Sequence, residues 1–213
     1  MAPAKVITPT PHVHALPKEA TATETPGNSP QGSPPEITAG DVIEIIQLFE
    51  QNHIELCIDG GWAVDALLGG QTRTHADLDI AVQHKDVPQI RTLLEAKGFR
   101  DIPRDDSWDC NFVMGDDRGR QVDIHSYTYD SAGKHVYGVA YPLESLTGTG
   151  RIQGYPVRCI SPEWLVQFHT GYPLDENDYR DVKALCQRFG LALPAEYAPF
   201  VTTPDTRHLR GEE

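Results

Sequence analysis

Two short runs hold the residues that could do chemistry. Ile58-Asp59-Gly60-Gly61-Trp62 is followed by His75-Ala76-Asp77-Leu78-Asp79-Ile80. Paired glycines between a strand and a helix leave backbone N–H groups pointing outward at the helix N-terminus, which suits phosphate oxygens. Aspartates two apart on a strand point to the same side. Their like charges repel, and a divalent cation removes that cost. Magnesium matches the pattern: it takes few carboxylates, keeps several waters and accepts substrate phosphate oxygens. Each half also has a plainer reading. D-x-D occurs on solvent-facing strands, and a lone Gly-Gly is often only a turn. In combination they describe a site for moving a nucleotide.

Asp123 adds a third carboxylate. Around it Val122 and Ile124 face one side of a strand while Asp123 and His125 face the other. If that strand neighbours residues 78–82, three acids converge on one cation. Asp123 could then be a ligand for metal or the base that takes a proton from an attacking hydroxyl, and the sequence leaves both open. His125 is the candidate substrate contact. The candidate nucleotide contacts are Gly60, Gly61, Trp62, Arg73 and Lys183. Trp62 also reads as a packing residue, Arg73 as a surface ion pair and Lys183 as an exposed lysine. Either cation could instead neutralise charge on a triphosphate. His75 and His169 are compatible with orienting a ligand or with structural hydrogen bonds.

The elements that must position these residues follow from periodicity. Val42, Ile45, Ile46 and Phe49 fall at helical spacing. Residues 54–58 form a short strand, and Gly60-Gly61 turns the chain into a helix over 62–68 that Gly69-Gly70 stops. A second strand covers 78–82, and a helix over 87–97 follows. Residues 110–114 and 121–127 form strands joined by a turn at Asp116-Asp117-Arg118-Gly119. Residues 137–143 and 155–160 suit short strands or loops. Ser161-Pro162 starts one helix. Asp175 caps the last long one, with Val182, Leu185, Cys186 and Phe189 on its apolar stripe and Gly190 at its end. Strands first and helices last imply an α+β fold: a mixed β-sheet core over 38–160 and a small C-terminal helical subdomain over 161–200. Residues 1–37, rich in Pro, Thr, Ser and Ala, read as a disordered tail. Residues 201–213 read as a flexible one.

Composition narrows the function classes. Among 213 residues, 31 are acidic and 18 basic, a net charge of −13. That balance argues against binding a nucleic-acid backbone, which needs clustered Lys and Arg. It suits a cationic substrate. Cys57, Cys110, Cys159 and Cys186 are far apart and make no C-x-x-C pair, which disfavours zinc and suggests a reducing cytoplasm. No apolar run approaches membrane-spanning length, and the N-terminus lacks the apolar stretch of a secretory signal.

The segments 58–65 (IDGGWAVD) and 73–80 (RTHADLDI) resemble the signature of the lincosamide and aminoglycoside 2''-nucleotidyltransferases, within the DNA polymerase β-like nucleotidyltransferase superfamily. Val122-Asp123-Ile124-His125 is similar to the strand bearing that family's third acid. Phe168-His169-Thr170-Gly171-Tyr172 and Asp178-Tyr179-Arg180-Asp181-Val182-Lys183 resemble the C-terminal helices of the lincosamide branch. The similarity spans about residues 40–192. It implies transfer of a nucleoside monophosphate from an NTP, ATP above all, to a hydroxyl of a small molecule, with release of pyrophosphate. It further implies Mg²⁺ held by Asp77 and Asp79, Asp123 completing the site as ligand and base, and Gly60 and Gly61 at the phosphates. Two other readings compete: a transferase acting on a protein or a tRNA end, and a degenerate member that binds nucleotide or a partner without turnover. The charge disfavours tRNA, and retention of all three aspartates disfavours degeneracy.

Overall fold

The computed structural model describes residues 6–7 and 36–201. Its strands are β1 (Val6–Ile7), β2 (Leu56–Ile58), β3 (Leu78–Gln83), β4 (Arg100–Ile102), β5 (Asn111–Gly115), β6 (Gln121–Tyr129), β7 (His135–Val139), β8 (Gly148–Ile152) and β9 (Tyr155–Cys159). Its helices are α1 (Ala39–Gln51), α2 (Gly60–Leu68), α3 (Val87–Ala96), α4 (Pro162–Phe168), α5 (Glu176–Phe189) and α6 (Ala198–Val201). The strands form one mixed sheet in the order β1-β7-β6-β3-β2-β9-β8. β6 is the long member. It lies parallel to β3 on one side; on the other, β5 pairs with its first half and β7 with its second.

One face of the sheet's centre is apolar: Ile58, Leu78, Ile80, Val122 and Ile124 are fully buried there. Helix ends are set locally. Thr38 and Asp41 form a reciprocal cap at the start of α1, and Asp175 and Asp178 do the same for α5. α2 lies so close to β8 that a side chain on Gly150 would strike the Ala66 carbonyl. α4 and α5 pack against α2, so the C-terminal helices stand beside the glycine turn.

The α+β architecture is as expected, with two additions. β4 is short and mostly exposed, and β8 (GTGRI) has two glycines; neither shows the alternation that reveals a strand. The expected tails at 1–37 and 201–213 lie mostly outside the described residues. Within them, Val6–Ile7 pairs in parallel with β7, and Val201 ends α6.

Candidate active site

β2 runs out at Ile58, and Asp59 caps the helix that follows. One Asp59 oxygen accepts the Gly60 N–H at 2.8 Å, and the Asp59 N–H donates to the Asp79 carbonyl at 2.9 Å. Gly60 sits at φ +58°, in the left-handed region that favours glycine. A side chain there would collide with the Asp79 carboxylate. One on Gly61 would reach Arg73 Nη2 and His75 Nδ1 at 2.5 Å. The glycine turn is thus walled by Asp79 on one side and by Arg73 and His75 on the other.

Asp79 and Asp123 are directly opposite in the parallel β3–β6 pair, with Ala81 and His125 opposite each other next along. Side chains paired this way share a sheet face. Asp77 lies just before β3 and is half-buried, whereas Asp79 is buried. Among the described residues, no group of three or more His, Cys, Asp or Glu forms a ready-made metal cage. Two adjacent carboxylates with a third upstream make a more open donor set. That set fits magnesium, which shares its coordination among a few carboxylates, water and substrate phosphate.

Asp123 lies between His125 and Arg104. Nε2 of His125 lies 3.3 Å from its Oδ1. Arg104 places Nη1 3.4 Å from Oδ2 and donates through Nη2 to Gln121 at 3.1 Å. Beyond His125, its Nδ1 is 3.0 Å from the Tyr141 hydroxyl, which donates to Asp59 at 2.7 Å. Burial first, and then the charge of Asp59, push the Tyr141 phenol well above its usual range, so it keeps its proton.

The other expected contacts separate. Trp62 is 1 % exposed and its ring packs 4.6 Å from that of His75, so only its backbone can face a ligand. His75 is buried with Asp65 at 2.6 Å, and Asp65 also accepts from Thr72; His75 therefore takes the structural role. His169 is buried too, 2.8 Å from the Leu165 carbonyl. Arg73 stays beside the turn, but its Nε and Nη2 donate to Asp181 on α5. Lys183 is exposed, its ammonium 5.2 Å from the Tyr179 ring centre.

Comparison with known proteins places most of the chain in one family. The aminoglycoside-2''-adenylyltransferase family model matches residues 41–185, most of the chain. The chain belongs to that family. This membership makes it a nucleotidyltransferase. A lincosamide resistance protein of Staphylococcus haemolyticus is 28 % identical over 155 residues, covering 70 % of this chain and 94 % of the relative. A 2''-aminoglycoside nucleotidyltransferase of Klebsiella pneumoniae is 33 % identical over 125 residues, covering 58 % and 67 %. Among solved structures, the lincosamide antibiotic adenylyltransferase LnuA, lincomycin-bound, superposes with a TM-score of 0.63 at 26 % identity, over 70 % of this chain and 97 % of that one. ANT(2'')-Ia in complex with adenylyl-2''-tobramycin has the same fold, with a TM-score of 0.60 at 22 % identity over 76 % and 93 %.

Sequence reasoning passed over Asp59, Arg104, Tyr141 and Asp181. Arg104 and Tyr141 lie in connections with no periodic pattern, and nothing in one dimension pairs them with Asp123 or Asp59. Asp181 had a signal, since it is a charge among the buried positions of α5 beside Val182 and Leu185. The pairing of Arg73 with Asp181 joins the glycine turn to α5 across a side chain only 4 % exposed. Asp181→Ala in this nucleotidyltransferase should cost about 2 kcal/mol, because it leaves a partly buried guanidinium without its carboxylate. Urea unfolding checks this. Unchanged stability together with weaker nucleotide binding would instead assign Arg73 to phosphate.

Proposed function

We propose that the chain transfers a nucleoside monophosphate, from ATP in the first instance, to a hydroxyl of a small antibiotic-like molecule and releases pyrophosphate. The observation behind this reading is the side-by-side pairing of Asp79 and Asp123, with the Asp79 carboxylate packed on the Gly60 turn. Asp77, Asp79 and Asp123 would hold Mg²⁺. When bound, the ion neutralises charge on the triphosphate and on the leaving pyrophosphate. Backbone N–H groups of Gly60, Gly61 and Trp62 at the start of α2 orient the phosphates. Asp123 receives the acceptor's proton, with His125 beside it on the acceptor side. Arg73 lies beside the turn, held there by Asp181, and Lys183 stays on the exposed side of α5 as a cation for incoming phosphate. Positioning and electrostatics supply most of the acceleration in phosphoryl-type transfer.

The acceptor side is the part of the sheet beyond Asp123. Trp108 is 56 % exposed and exchanges two backbone hydrogen bonds with Asn111, which lies opposite His125. That register puts Trp108 on the sheet face of Asp123. Trp108→Ala should raise the acceptor KM about tenfold, the loss of one stacking contact, and leave the KM for ATP unchanged. Steady-state kinetics with each substrate varied in turn separates the two.

The relatives' names supply the acceptor classes to try. Purified protein with Mg²⁺, each of the four NTPs and a panel including tobramycin and lincomycin should release pyrophosphate with at least one pair. Binding of Mg-NTP without pyrophosphate from any pair would favour the non-catalytic reading. Labelling of tRNA or protein alone would move the acceptor class; the net charge of −13 speaks against tRNA. We place the enzyme in the cytoplasm on the strength of its four free, buried cysteines. Among the described residues no helix is long and apolar enough to cross a membrane.

A further inference from the structure

Among the described residues the sheet ends on three strands, β4, β8 and β1. An edge strand offers its free N–H and C=O groups to any other strand, so natural edges are blocked by charges, prolines, bulges or a covering element. β4 is three residues long and opens on Arg100 and Asp101, both exposed. β8 carries the exposed Arg151, and α2 lies against it, with the Ala66 carbonyl over Gly150.

β7 (HVYGV) would be the poorest guarded of the edges if β1 were absent. It holds no Lys, Arg, Asp, Glu or Pro. A bulge distorts its start: Thr128 faces Tyr137 but Tyr129 faces His135, so Val136 is an extra residue between them. Beyond that point Tyr137 and Gly138 stay in register with β6. Val6 and Ile7 occupy the other side of this same stretch. Val6 is opposite Gly138 and Ile7 opposite Val139, in parallel. The cover falls where the bulge gives no protection. A second copy approaching about a two-fold axis would lay its own β7 antiparallel along this edge and join two sheets into one. Val6–Ile7 stands where that strand would lie.

We propose that residues 6–7 are a built-in edge guard: the chain's own N-terminal strand occupies the side of β7 and keeps a second copy from pairing there. This role is independent of the transferase reading.

The test compares the full chain with its double variant Val6→Pro/Ile7→Pro, because proline cannot donate to a strand ladder. Amide hydrogen exchange over residues 137–139 and sedimentation velocity are followed at low and at high protein concentration. In the wild type these amides should exchange slowly at both. In the double variant they should exchange at least about tenfold faster at low concentration. At high concentration the variant should dimerise, with a Kd at least about tenfold below that of the wild type, and the same amides should become protected again. Val136→Lys added to the double variant should restore the monomer, since a lysine on an edge strand opposes pairing. Val136 is 36 % exposed, so the longer side chain has room. Exchange in the double variant equal to the wild type would mean that residues 6–7 cover nothing. Wild-type protection found only at high concentration would assign this edge to a contact between copies. A double variant no more associated than the wild type would show that the edge needs no guard, and a dimer that survives Val136→Lys would place the contact elsewhere. Any one of these results overturns the proposal.

Discussion

Asp79→Asn should lower pyrophosphate release by roughly 10³-fold or more, the scale of removing a preorganised electrostatic group from a reacting centre. The change keeps the size and shape of a side chain that is 7 % exposed and packed on Gly60, so no cavity opens. It also removes one of two like charges held on adjacent strands, Asp79 and Asp123. Folding should therefore be unharmed, with the midpoint of thermal unfolding equal to or above the wild type. An ordinary core substitution would lose stability and activity together. Here the two should move apart, as they do when like charges are retained for a ligand and not for the fold. Calorimetric titration with Mg-ATP should show weakened binding in the same variant. Asp123→Asn should give a comparable loss of rate, and the double variant little more than either alone, because groups acting on one reaction coordinate are not additive. Wild-type turnover in either single variant would remove both carboxylates from the mechanism.

The parts of this site that could be read in the sequence are those built within one element or across one turn. Asp79 was visible from the D-x-D spacing, although β3 begins at Leu78 and leaves Asp77 just outside the strand that spacing assumed; the glycine turn was visible because Gly60 and Gly61 stand between a strand pattern and a helix pattern. The orientation of Asp123 was visible from its apolar neighbours Val122 and Ile124. Its partner strand was not, since pairing β3 with β6 joins segments separated by α3, β4 and β5. Convergence of the acids requires β6 beside β3, and no local pattern establishes which strands pair. Arg104 and Tyr141 were illegible for a stronger reason: they sit in connections, and their partners are distant in the chain. β8 was missed because Gly148 and Gly150 are chosen for close approach to other backbone and not for burial of an apolar side chain. Arg73 shows the reverse case. Its charge was legible, but a sequence cannot tell a phosphate from the Asp181 carboxylate as the anion it meets.

Gly60→Ala should abolish transfer with far less loss of stability than of activity, and the reason lies in what stands over the glycine. Two costs arise. The left-handed φ of +58° penalises any residue with a Cβ, by about 1–2 kcal/mol. The new methyl would also meet the Asp79 carboxylate. The fold can relieve the second cost by swinging the carboxylate aside, since the obstacle is a side chain and not backbone. Relief of that kind displaces one of the three acids from its neighbour Asp123 and narrows the turn proposed to receive phosphate at the α2 N-terminus. The strain is thus transferred from the fold to the site. Unfolding by urea should show a loss of about 1–3 kcal/mol, and Mg-ATP should no longer bind measurably by calorimetry. Gly150→Ala is the informative control. There the obstacle is the Ala66 carbonyl, which cannot swing away without moving α2, so stability should fall further than in Gly60→Ala. If Gly60→Ala kept its affinity for Mg-ATP, the turn would be only a turn, and the phosphates would have to be held elsewhere on the sheet.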